Sequence, residues 1–185
     1  MDNEETAGLA FGRLSSEFIR VKVAPEQDAF RFATYAGTTG ISKVSAGATL
    51  SSGNDVLTAL ITAQNKMDED EVSPENRILY ITPTLYNLAI NVDTTKSKAV
   101  LDGFAKIVKV PQSRFYTAID LKDGTTKSEG VDETAGGFAK ATTAKDINFM
   151  IIQKSAVIQY PKHTVNKVVT PEENQTDDSL SLIHI

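Results

Sequence analysis

The opening of the chain carries the longest helical periodicity in the sequence. Apolar or small residues recur there at steps of three or four, which is helical spacing. These positions are Phe11, Leu14, Phe18, Val21, Pro25, Ala29, Phe32 and Ala36. The phase continues through Pro25, although proline normally ends or kinks a helix. We predict one helix over Glu4–Tyr35, kinked near Pro25 and about 45–50 Å long. The alternative is two ordinary amphipathic helices that meet at Pro25.

A second helix is predicted after a connector, Gly37–Gly53, that is rich in glycine, serine and threonine. It covers Ser52–Asp70 and has one apolar stripe with a wider margin. The stripe and its margin are Val56, Leu60, Ala63 and Met67, then Leu57, Ile61 and Gln64. The acidic run 68–71 that ends this helix lacks the alternating ligands and the glycine of a calcium loop. We therefore predict a solvated acidic turn.

The middle of the chain switches from helical to strand patterns. Arg77–Ile81 is a short run of β-branched and aromatic residues, which predicts a buried strand. Thr82 suits a helix N-cap and Pro83 suits the first helical position, so a short helix is predicted over Thr84–Ile90. A strand, a cap and a helix in quick succession indicate a mixed α+β fold.

The second half of the chain is predicted to hold strands separated by one long flap. Asp120–Ala144 is poor in apolar residues and rich in Gly, Thr, Lys and Asp, so we predict a long exposed loop there. Apolar alternation predicts strands on both sides of it. These strands are Phe104–Val110, Ile147–Gln153, Ala156–Tyr160 and Thr164–Val169.

Composition excludes several classes of protein. The 185 residues contain no cysteine, so a disulfide framework, a thiolate zinc site and a cysteine nucleophile are excluded. With 19 Lys and Arg against 24 Asp and Glu, the net charge of −5 gives no domain-wide basic footprint for nucleic acid. No apolar run approaches the roughly 20 residues that a membrane-spanning helix needs, and the acidic start is unlike a secretory signal.

The sequence contains no recognisable catalytic constellation. His163 lies between two predicted strands without a serine elbow or an upstream acid, which favours a structural or surface histidine. Gly136 and Gly137 follow no predicted strand and open no helix, unlike a phosphate-binding loop. We therefore predict no catalytic, cofactor-binding or metal-binding residues and no enzyme activity. A small hydrolase or transferase that uses His163 is the alternative.

Four segments that cover most of residues 1–176 carry motifs of moderate specificity. The segments are Asn3–Gly8 through Pro25–Asp28, Arg77–Pro83, Val108–Phe115, and Ile147–Ile158 followed by Lys162, His163 and Pro171–Gln175. Together and in this order they resemble segments of tailed-bacteriophage major capsid proteins. The opening segment resembles that family's spine helix.

The resemblance implies the Hong Kong 97-like capsid fold. Residues 1–45 and 146–176 would form the peripheral domain, with the spine helix and a sheet, and residues 46–145 the axial domain. The implied function is a major capsid subunit that assembles with itself, as hexamers and pentamers, into the icosahedral shell around phage double-stranded DNA. Portal and scaffold proteins would be further partners. Neither sequence-specific nucleic acid nor a membrane is implied. The implied location is the virion capsid, assembled in the bacterial host cytoplasm.

The chain departs from the family pattern at both ends. The family has an N-terminal arm and an extended loop before the spine helix, and here the sequence starts at the helix. The tail 177–185 looks non-native. We therefore expect an internal fragment that does not form shells by itself and is monomeric or poorly soluble. An encapsulin-like cargo shell subunit, and a virion decoration or tail-tube protein, are the alternatives within assembly proteins.

Overall fold

The chain combines helices and strands, and the predicted α+β class is confirmed. The computed structural model describes residues 12–44, 47–160, 165–169 and 180–184. It divides the chain into two compact units, residues 1–154 and 155–185. The first unit contains a three-stranded sheet and all the helices of four or more residues that are described.

The first helix, α1, runs without interruption over residues 12–37. It is α-helical over 12–18, forms a π turn at Ile19–Val23 and is α-helical again over Ala24–Gly37. The wider turn lies directly before Pro25, whose missing N–H interrupts the regular hydrogen-bond pattern. The change of winding therefore lets the chain pass the proline as one helix.

This continuous helix confirms the single-helix prediction over the described residues, and the two-helix alternative is wrong there. At 1.5 Å per residue the described part is about 39 Å long. The predicted start at residues 4–11 lies outside the described residues. The apolar spacing that continues through Pro25 correctly indicated one helix. The π turn accommodates the proline without ending the helix.

A three-stranded sheet forms the centre of the first unit. Its middle strand is β1 (Arg77–Ile81), which pairs in parallel with β2 (Lys106–Lys109). On its other side, β1 pairs antiparallel with β7 (Phe149–Gln153). The predictions of β1 and β7 are confirmed. Successive side chains of β1 point to opposite faces, so Leu79 and Tyr80 enter different layers.

Three helices cover one face of this sheet. They are α2 (Gly53–Glu69), α3 (Pro83–Ile90) and α4 (Thr94–Leu101). Ser52 begins α2 with a capping box, in which its side chain accepts from the Asp55 N–H and its own N–H donates to the Asp55 carboxylate. The buried side chains of this layer are Val56, Leu57, Leu60, Leu79, Ile81, Leu85, Ala89 and Phe104.

The predictions of α2 and α3 are confirmed, whereas α4 was not predicted. Its sequence is rich in threonine, lysine and serine and has no apolar stripe, so hydrophobic periodicity could not identify it. The available signal was its cap, because the Asp93 carboxylate accepts a hydrogen bond from the Thr95 N–H at 2.9 Å. In α2 the predicted apolar margin holds at Leu57 and fails at Ile61, which is 42% exposed.

The C-terminal half of α1 covers the opposite face of the sheet. Phe32 packs edge-on against Tyr80 of β1, with ring centroids 5.3 Å apart, and against Phe115 at 4.7 Å. Val110 and Ile147 complete this second buried cluster. The sheet therefore lies between α1 on one side and α2 to α4 on the other.

The segment predicted as a long loop, Asp120–Ala144, is corrected by the structure. It contains a β-hairpin in which β3 (Ile119–Lys122) pairs antiparallel with β6 (Gly137–Lys140). A smaller hairpin of β4 (Lys127–Ser128) and β5 (Val131–Asp132) forms its tip. Mostly exposed strands bury little apolar surface, so hydrophobic alternation was too weak to reveal them. Backbone pairing and turn residues hold the hairpin instead.

The last part of the chain needs one correction. The strand predicted over Ala156–Tyr160 is wrong: a 3₁₀ turn covers Lys154–Ala156, and irregular chain follows. Apolar residues alone do not make a strand without a partner ladder, and Ile158 is 92% exposed. In the second unit, β8 (Val165–Val169) is a strand as predicted.

The pairing partner of β8 is β9 (Leu180–His184), which lies within the tail expected to be non-native. In the first unit, β7 comes from the segment assigned to the peripheral domain and pairs with β1 from the axial assignment. The two assigned segments thus share one sheet. The division into peripheral and axial domains stays a prediction.

Candidate interaction surface

The N-terminal half of α1, residues 12–23, presents large apolar side chains to solvent. Leu14 is 67% exposed, Phe18 52% and Val21 46%. Leu14 and Phe18 are one α-helical turn apart and so lie on the same side of the helix, and Val21 follows within the π turn. We call these three residues the apolar stripe. Exposed large apolar residues that are close together along one helix mark an interaction site more often than scattered single residues do.

Basic side chains flank the apolar stripe. This half of the helix contains three basic residues, Arg13, Arg20 and Lys22, and one acidic residue, Glu17. Glu17 and Arg20 form an ion pair at 2.5 Å, and the hydrogen bond from Arg20 lowers the pKa of the Glu17 carboxyl. Both side chains are exposed, so this pair adds little to stability. The surface is therefore apolar in the middle and basic at its margins.

The other half of α1 is attached to the sheet by a polar contact as well as by Phe32. The Arg114 guanidinium donates to the Asp28 carboxylate at 3.1 Å, which joins α1 to the turn after β2. Burial raises the pKa of the neighbouring Tyr80 hydroxyl, and the charges of Tyr35 and Asp28 act in the same direction. The C-terminal half of α1 is therefore held against the sheet, whereas the N-terminal half is exposed to solvent.

A second charged surface lies where α2 ends. The acidic run 68–71 was predicted to be solvated, and this holds for Glu69, Asp70 and Glu71, which are exposed and form what we call the acidic patch. Asp68 is exposed as well, at 59%, and in addition it pairs with Arg77 at 2.7 Å. The side chain of Arg77 is only 4% exposed, so the Asp68 carboxylate compensates a buried cation.

Backbone carbonyl groups beside this ion pair accept further hydrogen bonds from Arg77. Its guanidinium donates to the Ser73 carbonyl at 3.0 Å and to the Val72 carbonyl. Sequence analysis missed this contact, since Arg77 was assigned to a strand and Asp68 to a solvated turn. The signal was a charged residue at an inward position of a buried strand, where a partner is required.

The tip of the exposed hairpin is held by an aspartate turn. The Asp123 carboxylate accepts from the Thr125 N–H at 2.8 Å, the Thr126 N–H at 2.7 Å and the Thr126 hydroxyl. These hydrogen bonds, led by the one from the Thr126 hydroxyl, lower the pKa of Asp123 from 3.8 to about 2. Gly124 follows with φ +77°, a conformation that glycine adopts readily.

We expect the Asp123 carboxyl to titrate near pH 2 in the folded chain. Because its folded pKa is depressed, its contribution to stability is present above the unfolded pKa and is lost as the pH falls through the folded one. A carbon-detected NMR titration of the carboxyl measures this midpoint. Thr126→Val is the control, since it keeps the backbone donors and should move the midpoint upward. A wild-type midpoint at the ordinary value of 3.8 would contradict the structure.

A shallow groove of about 440 Å³ lies at the ends of β1 and β2. Thr82, Pro83, Leu85, Gln112 and Asn148 are among its lining residues, which are all uncharged at neutral pH. The Asn148 amide already donates to the Ala48 carbonyl at 3.0 Å, and the Gln112 amide to the Phe115 carbonyl at 2.9 Å. The groove therefore offers no acid, base or nucleophile pair for catalysis.

The histidine of the enzyme alternative, His163, lies outside the described residues. In the described part of the chain, no group of three or more His, Cys, Asp or Glu residues is placed to hold a metal ion. A search of those same residues finds no helix that is long and apolar enough to cross a membrane.

Comparison with known proteins identified no relative of this chain. No protein-family model, no curated protein and no solved structure matches it. Function is therefore inferred from the sequence motifs and from the surfaces described above.

Proposed function

We propose that the chain is a major capsid subunit of a tailed bacteriophage, with the Hong Kong 97-like fold, that assembles with itself into the shell around the phage DNA. The observation that carries this proposal is the apolar stripe on α1. It lies on a long helix whose other half is held by Phe32 and Arg114. The four capsid-like segments of the sequence support the same function.

Physical chemistry explains why the exposed half of α1 needs a neighbour. A helical segment of about 12 residues is marginal in water when no tertiary contact supports it. Leu14, Phe18 and Val21 are each more than two-fifths exposed, so covering them with another subunit removes apolar surface from water. In a closed shell each such contact can be weak, because many contacts act together.

The net charge of the chain is consistent with a subunit of a shell that encloses DNA. The net charge of −5 gives the subunit no overall attraction to phosphate, so a shell can enclose DNA without holding it tightly. We accordingly place the assembled protein in the virion capsid, formed in the host cytoplasm, with portal and scaffold proteins as further partners. Its role in this proposal is structural rather than enzymatic.

The test is to express the whole reading frame that contains this chain. We expect particles that sediment rapidly and appear as closed icosahedral shells by electron microscopy. Head-assembly genes beside the frame distinguish a phage capsid from an encapsulin-like shell, which would lie beside a cargo enzyme. A frame that yields only monomers, without head-assembly genes nearby, would contradict the proposal.

Removing the apolar stripe should weaken association without unfolding the chain. We expect the double variant Leu14→Ser/Phe18→Ser to lower the self-association constant at least about tenfold, a loss of roughly 1.4 kcal/mol. The free energy of unfolding should change by less than about 1 kcal/mol, because both side chains are already exposed. Sedimentation velocity over a concentration series measures the first quantity, and urea unfolding the second.

The matched control replaces two apolar residues with similar chemistry elsewhere. Ile41 is 42% exposed and Ile90 46%, so Ile41→Ser/Ile90→Ser removes exposed apolar surface outside α1. This control should associate as the wild type does. If the stripe variant also associates normally, the apolar stripe is not an assembly surface.

A further inference from the structure

The acidic patch at the end of α2 is unfavourable for the isolated chain. Its three carboxylates lie at the C-terminal end of a helix, where the helix dipole is already negative. Asp70 pairs with Lys66 at 2.7 Å. Glu69 and Glu71 form no ion pair with any described residue. Glu69 and Glu71 therefore carry negative charge that no described residue compensates by an ion pair.

The exposed half of α1 carries the opposite charge. The apolar stripe is flanked by three basic residues, Arg13, Arg20 and Lys22, and by a single acidic residue, Glu17. Cations placed at the acidic end of α2 would be attracted both by the carboxylates and by the helix dipole. The two surfaces are thus electrostatically complementary.

The apolar residues of the two helices match in spacing as well. On α2, Ile61 is 42% exposed and lies eight positions before Glu69, about 12 Å along the axis. On α1, Leu14 likewise lies eight positions before Lys22, and the π turn makes the distance along the axis slightly shorter than about 12 Å. Two parallel helix segments can therefore place apolar beside apolar and cation beside carboxylate at the same time.

The two surfaces belong to helices on opposite faces of the sheet. The C-terminal half of α1 packs on the face that contains Tyr80, and α2 packs on the face that contains Leu79 and Ile81. This separation favours a second copy of the chain as the partner of the stripe.

We propose that the apolar stripe of one copy, with Arg20 and Lys22, docks on Ile61 and the acidic patch of the next copy. The contact joins two different surfaces, so it repeats head to tail and can close into a ring. This inference rests on the proposed function and names the neighbouring surface that the helix meets. The two helix segments are smaller than a standard interface of about 800 Å² per partner, so the contact is weak and depends on salt.

A charge-swap experiment tests this pairing. The first variant, Arg20→Glu/Lys22→Glu, makes both surfaces acidic, and the second, Glu69→Lys/Glu71→Lys, makes both basic. Each variant alone should associate at least about tenfold more weakly than the wild type. An equimolar mixture should regain wild-type association, because each variant then finds its complement in the other. Asp68 is left unchanged because it compensates Arg77.

The control is Lys43→Glu/Lys96→Glu, which makes the same change of charge at exposed residues outside both surfaces. It should associate as the wild type does. Sedimentation velocity at about 0.05 M and 0.5 M salt measures association, and the higher salt should weaken the wild type and the mixture alike.

Several outcomes would overturn the pairing. A mixture that associates no better than its components would do so. The isolated chain is expected to be monomeric when dilute, so only a wild type that stays monomeric at the highest concentration at which it is soluble would also overturn the pairing. Expression of the whole reading frame distinguishes a failure of this pairing from a failure of the proposed function. If shells form normally with either variant in that frame, the pairing is wrong and the capsid proposal stands. If the mixture is rescued while the frame never forms shells, the pairing stands and the capsid proposal is wrong.

Discussion

Replacing Phe115 by alanine is expected to lower the free energy of unfolding by about 3–5 kcal/mol. Phe115 is fully buried, and its ring packs edge-on against Phe32 of α1. Its carbonyl also accepts from the Ile147 N–H at 3.0 Å, so the surrounding backbone cannot easily collapse into the space left by the ring. Urea unfolding followed by circular dichroism measures the loss.

The loss of stability should be largest where α1 packs against the sheet. We expect amide hydrogen exchange to accelerate more over Ala24–Gly37 than over α2, since Phe32 loses its closest aromatic neighbour. Phe30→Ala is the matched control: Phe30 is 52% exposed on the same helix and should cost about 0.5 kcal/mol or less. Equal losses for the two variants would mean that α1 is not held through Phe115.

Replacing Gly53 by alanine is expected to destabilise the chain by about 2–3 kcal/mol, despite the better helix propensity of alanine. A Cβ at this position would lie 2.2 Å from the Leu88 carbonyl oxygen and 2.3 Å from Val92 Cγ2. The oxygen belongs to the backbone of α3, so the clash is relieved only by moving α2 away from α3. Thermal and urea unfolding both measure this effect.

Gly12→Ala provides the control for the same chemical change. No atom lies within 4 Å of a Cβ built at Gly12, and the residue is helical. Alanine there should stabilise α1 by up to about 1 kcal/mol. If Gly53→Ala were neutral or stabilising, the close approach of α2 and α3 would be wrong.

These two core variants also separate folding from association. Phe115→Ala and Gly53→Ala should weaken association only to the extent that they unfold the chain. Changes to the apolar stripe or the acidic patch should weaken association at an almost unchanged unfolding midpoint. A variant such as Leu14→Ser/Phe18→Ser therefore tests assembly directly.

Local patterns predicted the elements that bury one clear face. The stripe of Val56 and Leu60 predicted α2, and the compact run Arg77–Ile81 predicted β1, because each side-chain period reports directly on burial. The pattern failed where burial is slight. In α4 the capping by Asp93 supports the helix, and the hairpin of Ile119–Lys122 is held by backbone pairing. Neither produces a strong hydrophobic period.

The candidate surface was only partly visible in the sequence. Periodicity alone treats Leu14 and Phe32 alike, as members of one apolar phase on one helix. Only the folded chain shows that Phe32 is 7% exposed and Leu14 67%. Burial depends on which neighbours reach each turn, and those neighbours, such as Phe115, are distant along the chain.

Helical spacing is a local property of consecutive side chains, so the sequence correctly favoured one helix through Pro25 over two helices that meet there. It also determined the absence of cysteine chemistry. The folded chain was needed to show that α1 and α2 lie on opposite faces of the sheet and that Asp68 compensates the buried Arg77. These relations join residues far apart in sequence, and long-range packing sets them rather than any local period.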